Sequence, residues 1–338
     1  MRIDTVLGVP PARMAEAARA AEAAGFAAGW TLEMDHEPFL GALAAATATE
    51  RLEVGTSIAV AFARTPMTLA QAGWDLQAYS GGRFTLGLGS QVKTHIEKRY
   101  GMPWSAPAAR MRELVLGIRA IWESWQTRGP LNFRGEHYRH TFTSPNFMPD
   151  PADLTGFGTP PILVAGVGPL MTSVAGEVAD GYVAHAFTTE RYLDEVTLPR
   201  LRAARAAAGR SMDDFTISAS AIVATGATDA DLAAATETAR TRIGFYASTP
   251  AYRGVLEAHG WGDVQEPLAD LIRAKDWSAL GAAVSDEMLR EFAVVGRPDE
   301  IPGLLRRRYD GRVTRVSLAP ARPEDAAAVA AIAGRMAG

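Results

Sequence analysis

The amino-acid sequence predicts an α/β fold, specifically a (β/α)8 TIM barrel in which eight parallel strands close into a ring inside a layer of helices. Eight short segments rich in apolar and β-branched residues recur along the 338 residues. Segments with apolar residues at helical spacing lie between them, and each crossover between parallel strands needs such a helix. Polar and glycine-rich residues follow several strands, where a barrel carries its functional groups. An open doubly wound sheet is the alternative architecture.

The predicted strands are bounded by glycine, proline or polar residues, which interrupt regular structure. They span residues 2–8, 26–32, 52–60, 83–88, 161–165, 180–185, 215–225 and 312–318, with a further short extended piece at 292–295.

The predicted helices have recognisable starts and stops. Pro10 begins the first helix and Gly25 ends it, while Thr65 and Pro66 supply the N-cap and first residue of another. The clearest apolar stripe runs over residues 111–125, and we assign it to the core. Further helices are predicted at 38–49, 65–79, 169–178, 189–208, 298–309 and from 323 onward.

The chain is longer than a bare barrel of about 250 residues. Two segments interrupt the alternation of strands and helices, and we assign the surplus to them. Residues 127–160 contain short alternating runs between prolines and glycines, which predict a hairpin, and residues 228–290 carry helical patterns without a clear strand. We therefore expect a single domain over residues 1–338, with both insertions covering the strand ends.

Composition excludes several classes of protein. The chain has no cysteine, so disulfides, thiolate metal sites and cysteine nucleophiles are excluded. A net charge of -4 argues against nucleic-acid binding. No apolar stretch is long enough for a membrane span and no leader peptide is evident, so we expect a cytoplasmic protein. Histidines and carboxylates are not grouped at metal-ligand spacing, so no metal is expected.

The stretch SGGRFTLGLGSQVKTH, residues 80–95, is the most informative part of the chain. It reads as the fourth strand with a polar exit. Gly87 and Gly89 allow close approach of a ligand to the backbone, although a plain tight turn would also use them. His95 follows the turn as a candidate for anion binding or catalysis, and a solvated helix start is the alternative.

Other strand ends supply further candidates. Glu33, Asp35 and His36 follow the second strand and could transfer protons, although Asp35 could equally be a helix N-cap. Gly166 to Gly168 follow the fifth strand and lead directly into a helix, where backbone N–H groups and the helix dipole favour a phosphate. A flexible helix start would explain the same glycines. His185 stands at the end of the sixth strand.

Together these residues resemble the bacterial luciferase-like superfamily, and within it the coenzyme F420-dependent oxidoreductases. The resemblance covers nearly the whole chain. It rests on the stretches GFAAGWTLEMDHEPF, VGTSIAVAFARTP, SGGRFTLGLGSQVKTHIEKRYGMPWS, PPILVAGVGPLMTSVAGEVADGYVAH and FAVVGRPDEI.

The resemblance implies a cofactor that lies across the strand ends, either F420 or, as the alternative, FMN. It also implies a bulge in the third strand with a cis peptide bond between Ser57 and Ile58. The expected cofactor-binding residues are Ser57, Ile58, Gly89, Ser90, Gln91, Ala165, Gly166, Val167, Gly168 and His185. A small-molecule substrate and a second copy of the chain, in a homodimer, are the expected partners.

The resemblance leaves the catalytic acid or base open among Glu33, His36 and His95. The spacing of Glu33-Met34-Asp35-His36 and the absence of an acid after Gln91 depart from the family's sugar-phosphate dehydrogenases, so we do not expect that substrate. The leading hypothesis is hydride exchange between F420 and an apolar organic substrate. An FMN-dependent monooxygenase and a non-catalytic cofactor-binding protein are the alternatives.

Overall fold

The barrel predicted from the sequence is present in the computed structural model, which describes residues 1–337. The strands are β1 (Arg2–Val6), β2 (Ala28–Thr31), β3 (Glu53–Thr56), β4 (Ala59–Val60), β5 (Phe84–Gly89), β6 (Phe133–Arg134), β7 (Arg139–His140), β8 (Ile162–Gly166), β9 (Gly181–Ala184), β10 (Thr216–Thr225), β11 (Ala293–Gly296) and β12 (Arg315–Pro320). Eight of them form a closed parallel ring in the order β1, β2, β3, β5, β8, β9, β10 and β12, and β12 pairs again with β1. The ring confirms the (β/α)8 fold.

Helices surround the ring and connect successive strands. They are α1 (Met14–Ala23), α2 (Pro38–Ala48), α3 (Pro66–Tyr79), α4 (Lys93–Lys98), α5 (Pro107–Thr127), α6 (Pro169–Val178), α7 (Glu190–Tyr192), α8 (Leu198–Ala207), α9 (Asp229–Ala247), α10 (Arg253–Glu257), α11 (Gln265–Ala274), α12 (Trp277–Ala282), α13 (Asp286–Phe292), α14 (Ile301–Tyr309) and α15 (Ala326–Ala337). Proline stands at the first position of α2, α3, α5 and α6, where its missing N–H has no intrahelical acceptor. None of the described helices has both the length and the apolar character needed to cross a membrane.

Of three further elements, one agrees with the sequence-based expectations and two differ from them. The short extended piece near residue 293 is a strand, β11, which pairs in parallel with the last residues of β10 outside the ring. The segment after β5, for which the sequence indicated only a turn and a polar exit, contains α4, which is too short to show helical periodicity. The predicted helix over 189–208 contains a π-helical turn at Leu193–Thr197 between α7 and α8.

The two insertions occupy different places. The segment over residues 228–290 forms α9 to α13, and α9 begins just beyond the carboxyl end of β10. The hairpin of β6 and β7 instead packs on the side of α5, where Glu113 accepts hydrogen bonds from backbone N–H groups of the hairpin. The hydroxyl of Tyr138 in the hairpin accepts a hydrogen bond from Arg110 in the first turn of α5 at 2.9 Å. The expectation that this insertion covers the strand ends stays a prediction. Because α5 returns the chain to the amino-terminal end of the barrel, the segment over residues 127–160 begins and ends at that end.

The apolar core lies mainly between the ring and its helices. Large buried side chains there include Phe62, Trp74, Phe84, Trp122 and Trp125. A second buried cluster forms where α9 to α13 pack against the ends of β10 and β11, and Phe187 and Phe292 stack at its centre with ring centroids 4.1 Å apart. The 228–290 insertion is therefore anchored to the barrel by its own apolar core.

Candidate active site

Charged side chains close the amino-terminal end of the barrel interior. Arg315, the first residue of β12, donates two hydrogen bonds to Asp4 of β1, at 2.8 and 3.0 Å, and one to Glu53 of β3 at 2.5 Å. The indole N–H of Trp30 on β2 donates to the same Asp4 carboxylate at 3.0 Å. These contacts cross the inside of the ring, so the four side chains point inward. Groups at this end of a barrel serve stability.

The carboxyl end of the barrel is open. Because side chains alternate along a strand, residues two positions beyond an inward-facing residue also point inward, one layer higher. Inward-facing residues nearer the amino-terminal end of the barrel, such as Asp4 and Trp30, form the lower layer and are buried. The next inward-facing residues toward the carboxyl end form the higher layer and are partly exposed to solvent. We call the space above this higher layer the cup, and its floor consists of Val6, Leu32, Ser57, Ala165, His185, Ser220 and Ala319. The floor of the cup has no Asp, Glu, Lys or Arg side chain.

A bulge in the third strand forms one wall of the cup. The four residue steps from Gly55 to Ala59 pair with only three steps of β5, from Thr85 to Leu88, so the strand carries one extra residue. The peptide bond between Ser57 and Ile58, within this bulge, is cis, as the resemblance implied.

The glycines of β5 make room for this bulge. A Cβ atom on Gly87 would lie 1.9 Å from the carbonyl oxygen of Thr56, and one on Gly89 would lie 2.7 Å from the side chain of Ile58. The sequence suggested that these glycines admit a ligand, but at Gly87 the close neighbour is the protein's own backbone. Contact of Gly89 with a cofactor stays a prediction.

Ser90 and Gln91 leave β5 in a tight turn. Gln91 has a left-handed backbone with φ of 59°, and its side-chain oxygen accepts a hydrogen bond from the N–H of Val92 at 3.0 Å. The hydroxyl of Ser90 donates to the carbonyl of Gln91 at 3.1 Å. Both residues remain partly exposed beside the bulge. They are therefore available to a ligand in the cup.

The loop of Gly166, Val167 and Gly168 presents N–H groups without acceptors. Tyr192 donates a hydrogen bond to the carbonyl of Val167 at 3.1 Å, and Tyr182 donates to the carbonyl of Gly166. Within residues 1–337, the N–H groups of Val167 and Gly168 donate to no backbone or side-chain acceptor. Gly168 is also the N-cap of α6 and supplies no side-chain cap. Free backbone N–H groups at the start of a helix favour the binding of an anion.

His185 lies beside this loop because β9 pairs with β8. The register places Ala184 opposite Gly166, so the next residue on each strand, His185 and Val167, are neighbours. The imidazole contacts Tyr246 of α9 edge-on, with ring centroids 4.8 Å apart, and Tyr252 from the turn before α10. Burial lowers the pKa of His185 to about 4, so the ring is neutral at pH 7.

Glu33 is held by hydrogen bonds from three partners. Its carboxylate accepts from the N–H of Val60 at 2.6 Å, from the guanidinium of Arg64 at 2.7 Å and from the hydroxyl of Tyr100 at 2.9 Å. Burial and the contact with Glu33 raise the pKa of Tyr100. The side chain thus ties β2 to the segment after the bulge and to the end of α4. This geometry is typical of a residue that positions its neighbours.

His36 and His95 are placed differently from each other. His36 borders a cavity of about 190 Å³ between the loops that follow β1 and β2, and its Nε2 lies 3.6 Å from a carboxylate oxygen of Asp35. Apolar side chains including Leu7, Val9 and Leu32 line the same cavity. His95 lies on α4, and both histidines are exposed. The structure therefore does not bring the three candidates for the acid or base together.

Glu113, Glu136 and His137 form a group whose potential metal-ligand atoms lie within 4.8 Å of one another. The group lies where the hairpin packs against α5. Glu113 accepts hydrogen bonds from three successive backbone N–H groups of the hairpin, which lowers its pKa. This role as a loop anchor explains the carboxylate without a metal.

Three partners of the site were not singled out from the sequence. Tyr192 and Tyr252 lie in segments whose patterns predict only helix, so their approach to the strand ends depends on how those segments pack. Arg64 immediately precedes the N-cap Thr65 and was visible as a polar residue after the third strand. Its pairing with Glu33 depends on the path of the chain after the bulge, which the sequence pattern does not specify.

Comparisons with known proteins agree with this geometry. The family model described as luciferase-like monooxygenase matches residues 2–315. An uncharacterized protein of Mycobacterium tuberculosis is 51% identical over 94% of this chain and 92% of its own length. A putative coenzyme F420-dependent oxidoreductase of the same organism is 30% identical over 86% of each chain.

The fold has a counterpart among solved structures. The coenzyme F420-dependent tetrahydromethanopterin reductase from Methanopyrus kandleri aligns with a TM-score of 0.81 at 22% identity, over 99% of this chain and 96% of its own. At that identity the match supports the fold alone. Since the family model spans most of the chain, the protein belongs to the luciferase-like monooxygenase family.

Proposed function

We propose that the protein is an F420-dependent oxidoreductase that exchanges a hydride between the deazaflavin and an apolar organic substrate. The observation that carries this proposal is the position of the loop from Gly166 to Gly168 directly beside the open cup. Within the described residues, the backbone N–H groups of Val167 and Gly168 in this loop have no hydrogen-bond acceptor. A relative of 30% identity is itself named a putative coenzyme F420-dependent oxidoreductase. The family and the site therefore support the same class of reaction.

The residues present fit a cofactor with a flat ring and a phosphate. The floor of the cup consists of small or uncharged side chains, and the space where Gly168 would carry a Cβ is open. We assign the phosphate to the N–H groups of Val167, Gly168 and the first turn of α6, and the ring to the bulge at Ser57 and Ile58. Gly89, Ser90 and Gln91 flank the same wall. When bound, a deazaflavin supplies or accepts the hydride.

His36 is the residue that we assign to proton transfer. Glu33 already accepts hydrogen bonds from three partners, so its carboxylate has a positioning role. His36 and His95 are both exposed, but His36 also borders a cavity. Asp35 and Glu37 line the same cavity as His36, together with apolar residues such as Leu7, Val9 and Leu32. The apolar part of the cavity favours an apolar substrate.

An FMN-dependent monooxygenase is the second candidate, because the matching family model carries that description. Both cofactors combine a tricyclic ring with a ribityl phosphate, so the loop and the cup suit either. A protein that binds the cofactor without catalysis is the third candidate. The substrate, the homodimer and the catalytic role of His36 stay predictions.

Titration of the purified protein with F420 and FMN, followed by fluorescence, tests the proposal. We expect F420 to bind more tightly, and a subsequent turnover assay with reduced or oxidised F420 then separates an enzyme from a passive carrier. Equal or tighter binding of FMN in direct competition would favour the monooxygenase. Failure to bind either cofactor would overturn the assignment of the cup.

A further inference from the structure

Two side chains, those of His185 and Tyr252, lie beside the proposed phosphate loop. His185 follows β9 and is the neighbour of Val167 across the sheet. Tyr252, which comes from the 228–290 insertion, lies with its hydroxyl oxygen 3.2 Å from Nε2 of His185. The two rings are in tilted contact, with centroids 4.5 Å apart. A residue far away in the sequence is thereby held at the edge of the loop.

The hydrogen bonds of His185 fix where its proton lies. The backbone N–H of Phe187 donates to Nδ1 at 3.0 Å, so Nδ1 is an acceptor and carries no proton. A neutral imidazole then has its proton on Nε2. Burial lowers the pKa of His185 to about 4, which keeps the ring in this neutral form at pH 7. Nε2–H therefore donates to the hydroxyl oxygen of Tyr252.

This arrangement leaves the hydroxyl proton of Tyr252 available for another acceptor. A phenol has one proton to donate, and the contact with His185 uses only its oxygen. Burial raises the pKa of Tyr252 to about 12, so the hydroxyl remains protonated at pH 7. The Tyr252 residue as a whole is only partly buried.

The neighbouring contacts place Tyr252 close to the loop. Tyr192 donates a hydrogen bond to the carbonyl of Val167, and a Cβ on Gly254 would lie 3.7 Å from the hydroxyl of Tyr192. Gly254 is two residues after Tyr252. The turn that carries Tyr252 therefore runs alongside Gly166 to Gly168. Near an anion, a neutral hydroxyl donor supplements the backbone N–H groups.

We propose that Tyr252 donates a hydrogen bond to the ribityl phosphate of the bound cofactor, and that His185 is a positioning residue which holds the Tyr252 hydroxyl in place. The inference rests on the proposed function and adds one side chain to its phosphate site. Through Tyr252, the insertion over residues 228–290 would contribute directly to ligand binding. The competing explanation is that Tyr252 only packs in the apolar core of the insertion.

A double-mutant cycle between protein and ligand tests this inference. The probes are 5-deaza-FMN and 5-deazariboflavin, which differ only in the phosphate, and their dissociation constants are measured for the wild type and for Tyr252→Phe. We expect Tyr252→Phe to weaken 5-deaza-FMN binding about tenfold, as for a hydrogen bond to a charged group, and to change 5-deazariboflavin binding less than about twofold. Tyr246→Phe is the matched control, because Tyr246 packs against the same imidazole. It should leave both constants unchanged.

The positioning role of His185 is tested by two substitutions. Glutamine retains an N–H donor close to the position of Nε2, so His185→Gln should keep most of the preference for the phosphorylated probe. His185→Leu removes the donor and should reduce that preference. Circular dichroism confirms that each variant is folded.

The possible outcomes separate this inference from the proposed function. Equal losses for the two probes, or no loss in Tyr252→Phe, would overturn the phosphate contact while wild-type binding of F420 leaves the function standing. Equal behaviour of His185→Gln and His185→Leu would remove the positioning role. A wild type that binds neither F420 nor the deazaflavin probes would overturn both proposals.

Discussion

Gly168 is the position in the proposed phosphate loop where a substitution should disturb the surrounding packing less than at Gly166. A Cβ on Gly166 would lie only 2.9 Å from the side chain of Met171, so a substitution there would also disturb packing. At Gly168 the corresponding space is open, and its φ of -76° suits any residue. As the N-cap of α6, this position governs the N–H groups that we assign to the phosphate.

We expect Gly168→Asp to weaken cofactor binding by at least about tenfold while leaving the fold intact. Aspartate is a favourable N-cap, so its carboxylate would accept from the first turn of α6 and compete with the phosphate for the same donors. Fluorescence titration measures the affinity, and thermal unfolding should show an equal or higher melting temperature. Gly168→Ala is the control and should retain the affinity. A loss of similar size in both variants would argue against a charge effect.

The role of Glu33 depends on partners that the sequence pattern does not specify. A carboxylate after the second strand is a reasonable catalytic candidate, and the parallel barrel places it at the correct end. Its role depends on Val60, Arg64 and Tyr100, which surround the carboxylate with donors. These partners come from two other strand ends, and their distances depend on the bulge and on α4. The sequence pattern specifies neither.

At the scale of secondary structure, the ring and its connecting helices were predictable because each strand is apolar and each helix is periodic. The Gly166 to Gly168 turn was predictable for the same reason, since it joins an apolar strand to a helix that begins at Pro169. Elements shorter than two turns, such as α4, leave no periodic signal. The position of the hairpin depends on packing against α5, which no sequence pattern specifies.

The contact between the insertion and the barrel predicts a pH dependence of stability. Burial lowers the pKa of His185 to about 4, whereas an unfolded histidine titrates near pH 6.5. Between these values the unfolded chain binds the proton more readily, so stability is complete above about pH 6.5 and falls as the pH decreases. We expect His185 to contribute a loss of about 2 kcal/mol between pH 7 and 5. Denaturation by urea at each pH measures it.

His185→Gln provides the reference for this measurement, because burial also lowers the pKa of His140 and His259 and both add to the wild-type slope. The variant cannot titrate at position 185, and the difference between the two curves isolates that residue. Parallel curves for the two proteins would contradict the burial that we assign to the imidazole.

At the scale of the whole molecule, the two ends of the barrel have opposite properties. The amino-terminal end is filled by the hydrogen-bonded group of Asp4, Trp30, Glu53 and Arg315, which joins four strands of the ring. The carboxyl end is open above small side chains. The hydrogen-bonded lower layer holds these strands in register beneath the cup, and this register fixes the shape of the floor of the site.

Asp4→Asn tests the contribution of the lower layer to stability. The Asp4 side chain is fully buried and that of Arg315 is 8% exposed, so removal of one charge leaves the guanidinium poorly compensated in the interior. We expect a decrease of about 3 to 5 kcal/mol in the free energy of unfolding by urea. Asp194→Asn, which breaks the much more exposed pair with Arg312, is the matched control and should cost less than about 1 kcal/mol. Similar small losses in the two variants would mean that Glu53 alone compensates Arg315, and that the closure of the barrel depends on apolar packing instead.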